Sequence, residues 1–284
     1  MPLHFADGSL ARGPWQLEMT QERAGWSWSS LRVLALGAGE SCEFESGDEE
    51  LVILSLSGSC RVEGNGVTFD VRGRASVFHG ASDFVYAPRD SALKVSSSSG
   101  GRFAVGGAKA TRPGVMRYQP AENVPVEFRG AGHCSRRVMN TCTTDSFDAE
   151  RIILCEVVTP AGNWSSYPPH KHDEDRPGES VLEEIYYFEV NDGGRGAGMG
   201  YQQVYGTPER PIELLAQVGQ GDVVLIPHGW HGPTMAAPGY DLYFLNVMAG
   251  PGERAWRICD DPAHAWIRDT WVDQAVDPRV FLAN

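Results

Sequence analysis

The sequence predicts an all-β protein built as two barrel-like modules, and three observations predict it. Short apolar or alternating runs recur along the whole chain, clusters of glycine, proline and serine separate them, and helical periodicity is weak. In chain order the strand-like runs fall at 31–36, 51–56, 61–67, 92–95, 102–105, 152–158, 185–188, 202–205, 223–226 and 242–248. With 33 glycines and 18 prolines, turns between them are well supplied. Only the stretch from Asp260 to Arg268 reads as a short helix or turn, with an aspartate to cap it.

An internal echo divides the chain. Gly47-Asp-Glu-Glu-Leu-Val-Ile-Leu-Ser-Leu-Ser-Gly58 resembles Glu179-Ser-Val-Leu-Glu-Glu-Ile-Tyr-Tyr-Phe188, two glutamates opening a strand in each. Val77-Phe-His-Gly and Tyr86-Ala-Pro-Arg likewise echo the run before His231. Two modules follow, roughly 1–120 and 121–284.

Composition narrows the function. At 284 residues and 42% hydrophobic content the chain can bury a large core, but its formal net charge is −13. That argues against nucleic acid, whose binding rests on Lys and Arg neutralising phosphates. An anionic substrate must be captured locally, by a metal or by individual arginines. No apolar run has the length of a membrane helix, so no membrane partner is expected. The start, Met1-Pro-Leu-His-Phe-Ala-Asp7, lacks the basic and apolar regions of a signal peptide, and a cytoplasmic location is expected. The six cysteines form no CxxC pair and are expected to be reduced thiols.

The chemistry concentrates in the second module. His170 and His172 lie two apart in Tyr167-Pro-Pro-His-Lys-His172, and a strand points residues i and i+2 the same way. That pair begins a metal site, and Lys171 between them faces away as a solvated or packing lysine. On the next strand-like run Glu184, Tyr186 and Phe188 share one face, Glu183, Ile185 and Tyr187 the other. One glutamate is the carboxylate ligand. Glu184 is favoured because that phase brings Tyr186 to the metal, and Glu183 is the alternative. The turn Pro227-His-Gly-Trp-His231 offers His228 and His231, of which His231, at the strand start, is better aimed inward. Three neutral imidazoles and one carboxylate leave a divalent ion with net +1. They suit Zn, Mn, Fe(II), Co or Ni, and two positions of an octahedral ion stay open for adjacent sugar oxygens. A lone HxH arises by accident; HxH, a strand-borne glutamate and a PxGxH turn in that order form a far more specific pattern. The first module has no HxH: Cys42 and Phe44 hold the approximate place, so it is expected to be a degenerate, metal-free copy.

These residues resemble the cupin superfamily, whose two motifs carry HxH…E and PxG…H. More closely the chain is similar to the 5-deoxy-glucuronate isomerase family of bicupins. The resemblance rests on Gly132-His-Cys-Ser-Arg-Arg-Val138, Thr159-Pro-Ala-Gly-Asn-Trp-Ser-Ser-Tyr-Pro-Pro-His-Lys-His-Asp173, Leu182-Glu-Glu-Ile-Tyr-Tyr-Phe188, Tyr201-Gln-Gln-Val-Tyr205, Gly221-Asp-Val-Val-Leu-Ile-Pro227 and the run from Tyr240 to Pro251. It is strong over 130–270 and holds only in outline before that. The resemblance implies two double-stranded β-helix (jelly-roll) barrels and one divalent metal ion, Zn, Mn or Fe(II), held by His170, His172, Glu184 and His231. The implied substrate is a small sugar acid, and the implied reaction an aldose–ketose isomerisation in myo-inositol catabolism, 5-deoxy-D-glucuronate to 5-dehydro-2-deoxy-D-gluconate. Tyr186, Tyr243 and a metal-bound hydroxide are the candidate proton carriers, and an enediol route and a direct hydride shift both stay open. Arg136, in the matching Ser-Arg-Arg run, is the first choice for the substrate carboxylate, with Arg257, Arg254 and Gln203 as further contacts. Two departures from the general cupin pattern stand out: a longer, acidic gap from His172 to Glu184, and PxGxH in place of PxGxxH. A metal-dependent cupin dioxygenase, another uronate ketol-isomerase and a non-enzymatic sugar binder are the competing readings. Barrel edges often pair across subunits, which is compatible with a homodimer.

Overall fold

Strands form where the alternating runs stand, and they run further than the runs. The computed structural model describes residues 2–281. Most of the predicted runs become parts of longer strands such as Ser29–Leu36, Glu49–Gly64, Gly101–Lys109, Glu183–Asn191 and Asp241–Ala249, while 223–226 is a strand as it stands and 152–158 shifts by one residue to Ile153–Thr159. Strands that the sequence concealed are polar or interrupted. Glu40–Glu45 (Glu-Ser-Cys-Glu-Phe-Glu) lies at the surface, and Trp230–Ala236 carries a Gly-Pro pair that reads as a turn. The C-terminal helix is a 3₁₀ segment, Ala265–Asp273. The preceding turn is capped by Asp261, whose carboxylate accepts from the Ala263 amide at 2.9 Å, while Asp260 pairs in a strand. No helix among the described residues is long and apolar enough to cross a membrane.

One nine-stranded sheet holds the strands from Trp15–Met19 to Arg117–Gln119. The second module is two facing sheets. One has seven strands in the order His4–Phe5, Val223–Ile226, Glu183–Asn191, Asp241–Ala249, Ile153–Thr159, Arg136–Cys142, Val126–Arg129. The other centres on Gly200–Tyr205, Trp230–Ala236 and His170–Lys171. The strand His4–Phe5 thus leaves the N-terminal half and pairs with Val223 and Val224 of the second module.

Strand alternation sorts the apolar side chains into three cores. Leu51, Ile53, Val85 and Phe103 fill the first barrel. Tyr186, Phe188, Val204 and Phe244 fill the second. The opposite faces of the same strands, including Val52, Leu54, Ile185, Tyr187 and Leu245, pack the two barrels against each other. Two carboxylates reinforce that junction reciprocally. Glu50 accepts the backbone amides of Glu150, Arg151 and Ile152 at 2.8, 2.6 and 2.7 Å. Glu183 accepts those of Ser27, Trp28 and Ser29 at 2.9, 2.7 and 3.2 Å.

This pseudo-symmetry corrects the internal echo by one residue. Glu50 corresponds to Glu183, so Leu51 stands where Glu184 stands. The cross-strand register agrees: Leu51 pairs with Ala87, the last residue of its neighbouring strand, and Glu184 with Ile226, the last of its own. Because side chains alternate with period two, a one-residue shift exchanges the faces. The position that carries a carboxylate in the second barrel therefore carries a leucine within the apolar interior of the first.

Candidate metal centre and its cavity

Each candidate ligand is placed by a strand end or turn of the second barrel. His170 and His231 are direct cross-strand partners. His172 follows the His170–Lys171 strand and is drawn to the next one through Leu182, whose amide donates to the His172 carbonyl at 2.9 Å. Glu184 stands second in Glu183–Asn191, where alternation turns it inward with Tyr186. One potential ligand atom each from His172, Glu184 and His231 lie within 4.8 Å of one another. Glu184 Oε2 is 3.0 Å from His172 Nε2 and 3.1 Å from His231 Nε2. The His170 ring lies beside them, its centroid 4.4 Å from that of His231 and 6.3 Å from that of His172. All four side chains are buried.

The atoms left over fit a cation. His231 Nε2 lies near the carboxylate without hydrogen-bond geometry to it, and His170 Nδ1 has no partner. Unpartnered buried nitrogens are costly unless something coordinates them. Burial, then the neighbouring His231 and His172, hold the His170 pKa well below its ordinary value, so the ring stays neutral, the form that ligates metals. Burial works against ionised Glu184, but the hydrogen bond from His172 and the imidazole of His231 close by outweigh it and bring the carboxyl down to about 2. Neutral imidazole beside ionised carboxylate is the donor chemistry of a first-row divalent ion.

Glu183, the alternative carboxylate, faces the other way, into the module junction. His228 is only half-buried in the turn and stands apart from the cluster. Lys171 departs from the solvated picture. It is buried, its Nζ held by Asp173 at 2.6 Å and Glu179 at 2.7 Å, over the Trp230 ring. Asp173 also accepts the Gly229 amide at 2.9 Å, tying the HxH strand to the turn that presents His231. The acidic gap that follows folds as a small hairpin, Asp173–Arg176 with Glu179–Val181.

A cavity of about 420 Å³ opens beside the cluster, and His170 and Tyr186 line one part of it. Tyr186 Oη is 3.2 Å from Ser166 Oγ. Burial, then the Glu184 charge, hold the Tyr186 pKa well above its ordinary value, so the phenol keeps its proton. Arg136 lines the cavity as well, its guanidinium bonded only to the Cys134 carbonyl at 3.0 Å. Burial, then Arg129 and Arg268 nearby, pull its pKa down to about 10.

Four expected residues are not gathered here. Tyr243 sits on the opposite face of Asp241–Ala249 from Phe244 and Asn246, in the junction core, where it donates to Glu156 at 2.7 Å. Arg257 is exposed and pairs with Glu253 at 2.7 Å, while its neighbours Trp256 and Ile258 line the cavity. Gln203 lies on Gly200–Tyr205 away from the cavity wall. Arg254 also serves structure, donating to the carbonyls of Ile152, Phe147 and Cys142. Sequence reasoning missed Arg129, Arg268, Asn246 and the tryptophans 256 and 271, which the cavity does gather. Alternation along Asp241–Ala249 could have revealed Asn246, because it shares a phase with Phe244.

Two such barrels in one all-β chain, with a buried His/Glu cluster in the second, define a bicupin. Oxalate decarboxylase from Bacillus subtilis shares the fold at a TM-score of 0.63 and 14% identity, over 91% of this chain and 79% of that one. The KduI/IolB family matches residues 4–267, and the chain belongs to it. Among its relatives, 5-deoxy-glucuronate isomerase of Geobacillus kaustophilus is 39% identical over 259 residues, 89% of this chain and 91% of that one. The enzyme of the same designation from Bacillus subtilis strain 168 is 38% identical over 88% and 91%. The crystal structure of an IolB-like protein from Salmonella typhimurium superposes with a TM-score of 0.86 at 32% identity, covering 94% of this chain and 99% of that one. By these relationships the chain is an isomerase.

Proposed function

We propose that the chain is a metal-dependent aldose–ketose isomerase that converts 5-deoxy-D-glucuronate to 5-dehydro-2-deoxy-D-gluconate in myo-inositol catabolism. The observation that carries this reading is the buried His172–Glu184–His231 group, with His170 beside it, opening onto a cavity that also holds a protonated tyrosine and a guanidinium. The relatives' designation supports the substrate.

His170, His172, Glu184 and His231 would hold one divalent ion, Zn, Mn or Fe(II), which when bound supplies Lewis-acid polarisation of a carbonyl and its neighbouring hydroxyl. The chain's own residues do the rest. Isomerisation moves one hydrogen from C2 to C1 and one proton from the C2 hydroxyl to the C1 oxygen, so no outside redox partner is consumed. Tyr186 Oη, protonated and next to Ser166 Oγ, is placed to donate to one of those oxygens and take a proton back from the other. Arg136 offers a cation to the substrate carboxylate.

The test is an anaerobic assay on 5-deoxy-D-glucuronate before and after EDTA treatment, with divalent metal added back. Turnover that EDTA removes and metal restores supports the reading. Turnover that requires oxygen replaces it with a dioxygenase, and turnover only on a different uronate replaces the substrate.

A further inference from the structure

Part of the cavity wall has no role in holding the metal, yet its charged residues are mostly of one sign. Arg129, Arg136 and Arg268 all line it. Arg129 is paired with Glu127 at 2.8 Å and lies over Trp256 at 5.0 Å. Arg268 is paired with Asp260, Nη2 to Oδ1 at 2.7 Å, and lies 5.2 Å over Trp271. Arg136 shares that indole at 5.7 Å and, among the described residues, has no carboxylate partner, although it is buried. Three guanidiniums against two carboxylates leave one uncompensated positive charge in a chain whose net charge is −13. Burying an unpaired charge is expensive and persists where a ligand supplies the counter-charge. The uncharged wall points the same way. Asn246 and Trp256 complete that wall with polar and aromatic surface that carries no negative charge.

We propose that Arg136, flanked by Arg129 and Arg268, forms a carboxylate subsite. This deepens the isomerase reading and rests on it for the identity of the sugar acid. The subsite fixes the direction of the substrate: carboxylate at Arg136, reacting carbons at His170 and Tyr186. It also gives the C-terminal segment a function. Ile258, Arg268 and Trp271 come from the stretch after the strand Asp241–Ala249, which is held down by the Gly132–Val276 bridge and by Asn163 Nδ2 on Asp277 at 3.0 Å. The metal strands carry the chemistry, and this strap with the neighbouring strand Val126–Arg129 selects the acid.

The test separates binding from turnover. Isothermal titration calorimetry of the full chain compares D-glucuronate with D-glucuronamide, the same sugar without the charge. The wild type should favour the acid by about tenfold or more, as a charge-assisted guanidinium contact predicts. Arg136→Met should erase the preference and leave the melting temperature unchanged or higher, because it removes a desolvated, unpaired charge. Arg136→Lys should keep part of the preference. Equal affinity in the wild type, no binding of either sugar, or a preference that survives Arg136→Met overturns the subsite. A melting temperature that falls in Arg136→Met makes the residue structural and overturns it too. Absence of isomerase turnover alongside an intact acid preference upholds the subsite and rejects the proposed reaction.

Discussion

Glu183 and Glu184 are neighbours with opposite tasks, because adjacent strand residues face opposite ways. Glu184 is ionised among imidazoles. Glu183 is half-buried against three backbone amides of the other module, and partial burial raises its pKa despite them. Glu184→Gln should leave a folded protein whose metal affinity falls by more than the roughly 10–100-fold that loss of an outer partner costs. Glu183→Gln should keep its metal and lose about 1–3 kcal/mol of stability, the cost of weakening buried acceptors. Metal analysis and thermal melts of the two proteins decide it; the reverse pattern would exchange the roles. The two tyrosines separate in the same way. Tyr186→Phe should retain fold and metal while kcat drops about 10²–10⁴-fold, the range of a lost general acid–base. Tyr243→Phe should lower the melting temperature and leave kcat in place, since its hydroxyl serves Glu156 in the junction.

At the scale of elements, the strand Trp230–Ala236 carries the most constraint. Gly232 follows His231 at φ +100°, and a Cβ there would meet the Ser166 carbonyl oxygen at 1.8 Å. Ser166 is itself in the left-handed region, at φ +47°, and its hydroxyl faces Tyr186. This close backbone approach seats His231 and the tyrosine's partner together. Gly232→Ala must push the two segments apart and should cost at least about 3 kcal/mol. A melt combined with metal analysis should show both stability and metal content falling; a variant with unchanged metal content would show that the contact does not position His231. The Gly-Pro pair that makes the geometry also hid the strand from sequence patterning, because glycine and proline within a run read as a turn.

For the whole molecule, the junction between barrels is the exposed question of stability. Arg74 of the first module and Glu156 of the second form an ion pair with side chains 3% and 0% exposed, joined by Tyr243 and Thr141. Removing one member leaves a buried charge alone. Glu156→Gln should cost about 3–5 kcal/mol, whereas replacing both members by apolar residues should recover much of it. Differential scanning calorimetry tests whether the loss moves both barrels together, as the shared core predicts. Two separate transitions, with only one displaced, would mean that the junction does not couple them.

The all-β class was legible because period-two alternation and turn residues are local signals. The four ligand candidates were legible because a strand fixes the direction of residues two apart and the motif order is specific. Only the tertiary structure decided which carboxylate and which tyrosine faced the cluster. Glu183 or Glu184, and Tyr186 or Tyr243, depend on which side of a doubly covered sheet is the barrel interior, and both faces are apolar here. The one-residue offset between the modules was invisible for the same reason: paired glutamates align by identity, while the register that separates Leu51 from Glu184 is set by cross-strand partners. Arg129, Arg268, Asn246 and Trp256 come together from segments that begin and end far apart in the chain, and no periodicity within any one of them signals the cavity they share.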